Sequence, residues 1–135
     1  IPLTGAVIVT TPQEVSLIDA RKALKMFERV NVPILGVVEN MSYFIAPDTG
    51  KQYDIFGYGG GKQMCDELNA PLLGGIPIDP RIRIGGDKGE PMVIALPDAD
   101  ETKILFDISR KLTEQVNIRN SNASEKIEIL LGDED

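Results

Sequence analysis

Apolar residues along the chain fall into short unbroken runs that alternate with longer stretches of helical periodicity. The runs at 5–11, 33–40 and 71–77 lack polar alternation, which is typical of strands buried on both faces of a parallel sheet. Between the first two runs, apolar residues recur at spacings near three and four, which predicts a helix over 16–30 with Ser16 as its cap. Strand, helix and strand in this order predict a βαβ unit.

Further helices are predicted over 61–69, 80–86 and 99–116, and a long irregular loop over 41–61. The pattern assigns no element to the apolar stretch at 92–96. After residue 116 the composition turns polar and acidic, so 117–135 is predicted to be a solvated tail, in which 127–131 forms an edge strand or stays loose. The alternation as a whole predicts an α/β fold with a parallel sheet and flanking helices.

In such sheets ligands bind at the carboxyl ends of the strands. Three segments leave those ends in this chain, at 10–13, 39–42 and 77–80. They carry amide, hydroxyl and carboxylate side chains next to apolar residues. We therefore expect the functional site to lie among these three segments.

Charge and residue usage exclude several classes of function. The formal net charge is −7, and phosphate contacts to nucleic acid need clustered Lys and Arg, so we expect no nucleic-acid partner. No apolar run approaches 18 residues and the first residues lack a basic signal region, so we expect neither a membrane span nor a signal peptide. The chain has one cysteine and no histidine, which favours a reducing, cytoplasmic compartment and excludes histidine-based catalysis within these residues.

The glycine-rich segment at 57–63 is not a phosphate-binding loop. That loop needs four residues between its first glycine and a Gly-Lys pair, followed by Ser or Thr. Here three residues separate Gly57 from Gly61, and Gln63 follows Lys62. The segment is predicted to be a flexible turn that leads into a helix.

Several matched segments in order resemble the Mrp/ApbC family of P-loop ATPases, within the MinD-like group. The resemblance covers residues 1–116 and rests on LTGAVIVTTPQ (3–13), VVENMSYF (37–44), DIFG (54–57), the glycines at 59–60, and GIPID (75–79). It implies a cytoplasmic homodimeric ATPase that binds ATP with Mg²⁺ and assembles or carries iron–sulfur clusters. It also implies a partial Rossmann-like P-loop NTPase fold whose N-terminal, phosphate-binding half is missing here. We therefore expect that these residues alone do not hydrolyse ATP, and no residue in them is expected to be catalytic.

The resemblance places the adenine pocket at Asn40, Pro77 and Asp79. The Asn40 amide offers both a donor and an acceptor to a base, and the alternative is that it caps its own strand end. Asp79 precedes Pro80 and could equally be the cap of a helix, a role compatible with bounding the pocket. The resemblance also places residues 11–13 (Thr11, Pro12 and Gln13) near the nucleotide and the dimer interface, against the alternative of a plain strand-to-helix turn.

Cluster-binding residues are the main departure from the family pattern. The family's Cys-x-x-Cys should fall at Ala46 and Thr49, neither of which can ligate a cluster as thiolates do. Cys65 is expected to be a small buried hydrophobe. No metal site is therefore predicted, and a bound iron–sulfur cluster is not expected on this ligand set.

Partners follow from the same resemblance. They are the missing N-terminal half, a second copy of the protein, and iron–sulfur apo-proteins. An uncovered sheet edge beside the first strand also predicts dimers or higher oligomers. The alternative function is a non-enzymatic module that binds another protein through the 41–61 loop.

Overall fold

The computed structural model describes the backbone of residues 3–132 and the side chains of residues 3–122. The three longer strands alternate with helices, as the apolar pattern predicts, and three consecutive helices follow the last strand. The strands are β1 (Ala6–Thr10), β2 (Ile34–Glu39), β3 (Phe44–Ile45), β4 (Gln52–Tyr53) and β5 (Leu72–Gly75). The helices are α1 (Glu14–Arg29), α2 (Gly60–Glu67), α3 (Pro80–Lys88), α4 (Met92–Ala95) and α5 (Asp100–Gly132).

The central sheet contains β1, β2 and β5 in the order β1–β2–β5, and both pairings are parallel. The predicted parallel sheet is therefore confirmed. All three strands end at one edge of the sheet, because Glu39 pairs with Thr10 on one side and Gly75 on the other. β1 is an edge strand of this sheet, and its residue Val9 is 64% exposed.

Helices cover both faces of the sheet. Consecutive residues of a strand point to opposite faces, so Val37 and Val38 enter different cores. The core on one face joins the sheet to α1 and α2 and contains Ile8, Leu17, Ala20, Leu24, Val37, Met64 and Cys65. The core on the other face packs Val38 and Leu73 against Ile108 of α5.

The predicted start of the first helix is wrong. α1 begins at Glu14, and Gln13 is its N-cap residue without a side-chain cap bond. The backbone N–H groups of Ser16 and Leu17 both donate to the Gln13 carbonyl, so Ser16 already lies within the first turn. Buried Pro12, which has no N–H group to donate to a strand, lies between the end of β1 at Thr10 and the start of α1.

Two other predictions from the pattern are corrected, and the structure assigns the stretch that the pattern left open. The 41–61 segment is not irregular throughout, since β3 and β4 form a short antiparallel hairpin whose two-residue strands are too brief to show alternation. The unassigned stretch at 92–96 contains α4. The last helix ends at Gly132 rather than at residue 116, so 127–131 is neither an edge strand nor loose. Residues 1–2 and the acidic residues 133–135 lie outside the described part of the chain.

Within the described residues, no helix combines the length and apolarity needed to cross a membrane.

Candidate functional site

The carboxyl ends of β2 and β5 open into a cavity of about 520 Å³. The structure brings the three predicted pocket residues together there. The cavity is lined by Asn40, Met41, Pro77, Ile78, Asp79, Pro80, Ile82 and Arg83. An apolar wall with a few convergent polar groups, in a volume of roughly 300–1,000 Å³, is the usual form of a small-molecule site.

Asn40 occupies the exit from β2. Its backbone N–H donates to the Thr10 carbonyl at 2.7 Å, and its Oδ1 accepts from the Met41 N–H at 2.9 Å. The capping alternative is thus present in the structure. This bond leaves hydrogen-bonding capacity on the Asn40 side chain, because Oδ1 keeps a second lone pair and the Nδ2 amide remains a donor for a ligand.

Asp79 is the N-cap of α3, as the alternative for this residue predicts. Its carboxylate accepts from the backbone N–H of Arg81 at 2.7 Å and from the Arg81 guanidinium. The side-chain hydrogen bond from Arg81 is the main reason that the pKa of Asp79 lies below its usual value. Arg81 also donates to Glu101 at 2.9 Å, which connects α3 to α5. Asp79 is therefore a fixed, charged part of the cavity wall.

Pro77 is buried between two segments that continue the sheet pairing beyond the strands. The Ile76 N–H donates to the Glu39 carbonyl at 2.8 Å, and the Ile78 N–H donates to the Tyr43 carbonyl at 2.7 Å. Proline lacks an N–H group, so its position between these two donors costs no hydrogen bond. The exits from β2 and β5 are thereby held together along the cavity.

The predicted residues at 11–13 form the turn from β1 into α1. The Thr11 hydroxyl lies 3.4 Å from the Gln13 side-chain oxygen, and the Gln13 carbonyl begins the helix. Of the three, Thr11 lines a groove of about 410 Å³ beside β1, which Asn40 also lines. None of the three lines the cavity between β2 and β5.

Glu39 lies directly before Asn40 and was not among the predicted site residues. This carboxylate is 8% exposed. Its two oxygens accept from the Ser42 hydroxyl at 2.6 Å and from the Gly61 N–H at 2.9 Å. The sequence feature that could have identified Glu39 is a charged residue at the end of an otherwise apolar strand.

The glycine-rich segment is a turn that leads into α2, as predicted. Gly57 and Gly59 have φ of 105° and 75°, a region that favours glycine, and Gly59 is the N-cap. Lys62 pairs with Asp66 at 2.7 Å within the helix. Because Glu39 already accepts the Gly61 N–H, the start of α2 is occupied by a carboxylate of the protein itself.

The positions expected to hold cluster ligands lie at the tip of the β3–β4 hairpin. The Ala46 N–H donates to the Lys51 carbonyl at 2.9 Å, and Thr49 is exposed in the intervening turn. Cys65 lies in the core, 3% exposed, and burial raises the pKa of its thiol to about 11. Across the described residues, no group of three or more His, Cys, Asp or Glu side chains is placed to hold a metal ion.

Comparison with known proteins identifies relatives along most of the chain. Residues 1–113 match the ParA family model described as NUBPL iron-transfer P-loop NTPase. An iron–sulfur cluster carrier protein of Synechocystis is 52% identical over 87% of this chain, and one of Escherichia coli is 44% identical over 86%. An iron–sulfur cluster transfer protein NUBPL of Dictyostelium discoideum is 43% identical over 90%. The chain spans 31–38% of the length of these relatives, about a third.

Solved structures agree with this fold. The cell-division ATPase MinD of Pyrococcus furiosus matches with a TM-score of 0.62 and 25% identity, over 82% of this chain and 43% of its own. A nucleotide-binding protein of Archaeoglobus fulgidus in complex with ADP matches with a TM-score of 0.59 and 33% identity, over 73% of this chain and 39% of its own. The predicted MinD-like fold class is confirmed.

Proposed function

This chain belongs to the NUBPL-type family of iron-transfer P-loop NTPases, and from that premise we propose that it supplies the base pocket of an ATP-binding protein for iron–sulfur cluster assembly or transfer. The single observation that carries the pocket is the cavity at the ends of β2 and β5, where Asn40, Pro77 and Asp79 meet. The alternative of a module that binds neither nucleotide nor cluster is not favoured, because the relatives are cluster carrier and transfer proteins.

Adenine fits the chemistry of this cavity. A base needs apolar surface against its faces and a paired donor and acceptor at its edge. Pro77, Ile78 and Ile82 supply apolar surface, and the Asn40 amide supplies the donor and a free acceptor lone pair. The relative from Archaeoglobus fulgidus was solved with ADP, which supports a nucleotide in this fold.

Phosphate binding is proposed to reside in the part of the full-length protein outside these 135 residues. The chain contains no Gly-x-x-x-x-Gly-Lys-Ser/Thr sequence, and it corresponds to about a third of its relatives. Mg²⁺, when bound with the nucleotide, would neutralise charge on the phosphates during water attack. Within these residues the role is to orient the base. We therefore expect no ATP hydrolysis by this chain alone.

The iron–sulfur cluster, as cargo, does not fit the hairpin in this chain. Ala46 and Thr49 offer no thiolate, and Cys65 is buried in the core on a different element. We propose that any cluster ligands lie elsewhere in the full-length protein. Iron–sulfur apo-proteins and a second copy of the protein remain the proposed partners, and the cytoplasm the proposed compartment.

Calorimetry on the full-length protein tests the pocket. Asn40→Ala should weaken MgATP binding about tenfold, the usual effect of losing one well-placed hydrogen bond to a ligand. It should leave the affinity for inorganic tripolyphosphate unchanged, because that ligand has no base. Asn117→Ala, on the exposed surface of α5, is the matched control. Equal MgATP affinities for the two variants would show that this cavity does not bind the base.

The same titration on the 135-residue chain tests where the phosphates bind. No saturable heat is expected in the micromolar range. Clear binding would show that a phosphate site exists within these residues, and the segment 57–62 would then be the first to mutate.

A further inference from the structure

We propose that Glu39 is a positioning residue for the base pocket. Its buried carboxylate ties the Asn40–Met41–Ser42 turn to the start of α2 and so fixes the direction in which the Asn40 amide faces the cavity. The inference rests on the proposed function, because it concerns the same pocket. Glu39 itself does not line that cavity and so acts only through its neighbours.

The carboxylate of Glu39 connects two separate segments of the chain. One oxygen accepts from the Ser42 hydroxyl at 2.6 Å, within the turn that follows β2. The other accepts from the Gly61 N–H at 2.9 Å, in the first turn of α2. None of the ion pairs within the described residues includes Glu39, so these two donors and the positive end of the α2 dipole offset the cost of burying its carboxylate.

The turn that Glu39 holds is strained at Met41. Met41 has φ of 53°, a left-handed conformation that side chains other than glycine rarely adopt. Such a conformation persists only where the surroundings enforce it. Here Asn40 Oδ1 accepts from the Met41 N–H, and the Ser42 N–H donates to the Ile76 carbonyl at 2.9 Å. Glu39 anchors the same turn from its side chain, so losing it frees the turn to relax.

Two glycines leave room for this network. A Cβ on Gly61 would lie 2.3 Å from the Glu39 carboxylate oxygen Oε2, and a Cβ on Gly75 would lie 2.7 Å from the Ser42 hydroxyl oxygen. Neither glycine has a positive φ. Space, rather than backbone conformation, therefore requires glycine at both positions, as expected of a closely packed polar contact.

The test compares ATP with a ligand that lacks the base. In the full-length protein, we measure the ratio of MgATP affinity to tripolyphosphate affinity. Glu39→Ala should lower this ratio about tenfold, because Asn40 loses its fixed direction. Glu39→Gln can still accept from Gly61 and can donate to the Ser42 oxygen, so its ratio should stay within about twofold of the wild type.

Ser42→Ala keeps the inference testable where Glu39→Ala does not fold. It removes only the bond to the turn and should lower the ratio about threefold. The control is Thr102→Val, which removes a buried hydroxyl that donates to the Leu96 carbonyl at 2.7 Å, away from the cavity. It should lower stability and leave the ratio unchanged.

An unchanged ratio in both Glu39→Ala and Ser42→Ala would overturn the positioning role, whether the two affinities keep their wild-type values or fall by the same factor. A wild-type protein that binds both ligands equally would instead refute the base pocket itself, which separates failure of the proposed function from failure of this inference.

Discussion

Replacing Gly61 by alanine should reverse the effect that helix propensity predicts. Gly61 lies in α2 with ordinary helical backbone, where alanine usually stabilises by about 0.5–1 kcal/mol. The new Cβ would lie 2.3 Å from Glu39 Oε2 and 3.1 Å from its Cδ. Loss of a hydrogen bond to a charged group costs about 1.5–3 kcal/mol, and overpacking costs about 1–3 kcal/mol. Less the gain from helix propensity, we expect a net destabilisation of about 1.5–5.5 kcal/mol.

Urea unfolding followed by far-ultraviolet circular dichroism measures this change. With a slope of roughly 2 kcal/mol per molar, the midpoint should fall by about 1–3 M. Gly86→Ala is the matched control, because Gly86 is also helical and a Cβ there meets nothing within 4 Å. It should be neutral or stabilising by up to about 1 kcal/mol. A Gly61→Ala protein as stable as Gly86→Ala would refute the packing of Glu39 against α2.

Three other predictions concern separate parts of the molecule. The pKa of the Cys65 thiol rises from 9.0 to about 11 on folding, so its contribution to the free energy of unfolding is fully present below pH 9 and lost as the pH rises through about 11. Iodoacetamide should label this thiol at neutral pH only after unfolding. Rapid labelling of the folded protein would contradict its burial. The pKa of the Asp79 carboxyl is lowered on folding, so its contribution to the free energy of unfolding is present above the unfolded pKa of 3.8 and lost as the pH falls through the lower folded pKa. Asp79→Ala should therefore cost about 1 kcal/mol of unfolding free energy at pH 7, because it removes the cap of α3, and much less in strong acid. Val9→Lys should lower the average mass measured by light scattering towards that of a monomer, because lysine on an exposed edge strand opposes strand pairing. A wild-type chain that is already monomeric at high concentration would refute the predicted association.

The sequence by itself determined the strands and helices of the core. Runs such as the one containing Val37 and Val38 have no polar alternation, and only a sheet covered on both faces buries every residue of such a run. The same logic predicted that the site lies where the strands end, because parallel strands bring their carboxyl ends to one edge. The individual residues Asn40, Pro77 and Asp79 came from the family resemblance rather than from the pattern, and all three line one cavity.

Only the tertiary structure decided which groups those side chains contact. The first helix begins at Glu14 rather than at the Ser16 cap, because the backbone N–H groups of Ser16 and Leu17 both donate to the Gln13 carbonyl and so place Ser16 inside the first turn. The β3–β4 hairpin depends on pairing between two-residue strands, which no periodic pattern can reveal. Glu39 meets Gly61 across 22 positions of sequence. Contacts between residues so far apart in the sequence depend on how α2 packs on the sheet, so the spacing of residues along the chain does not predict them.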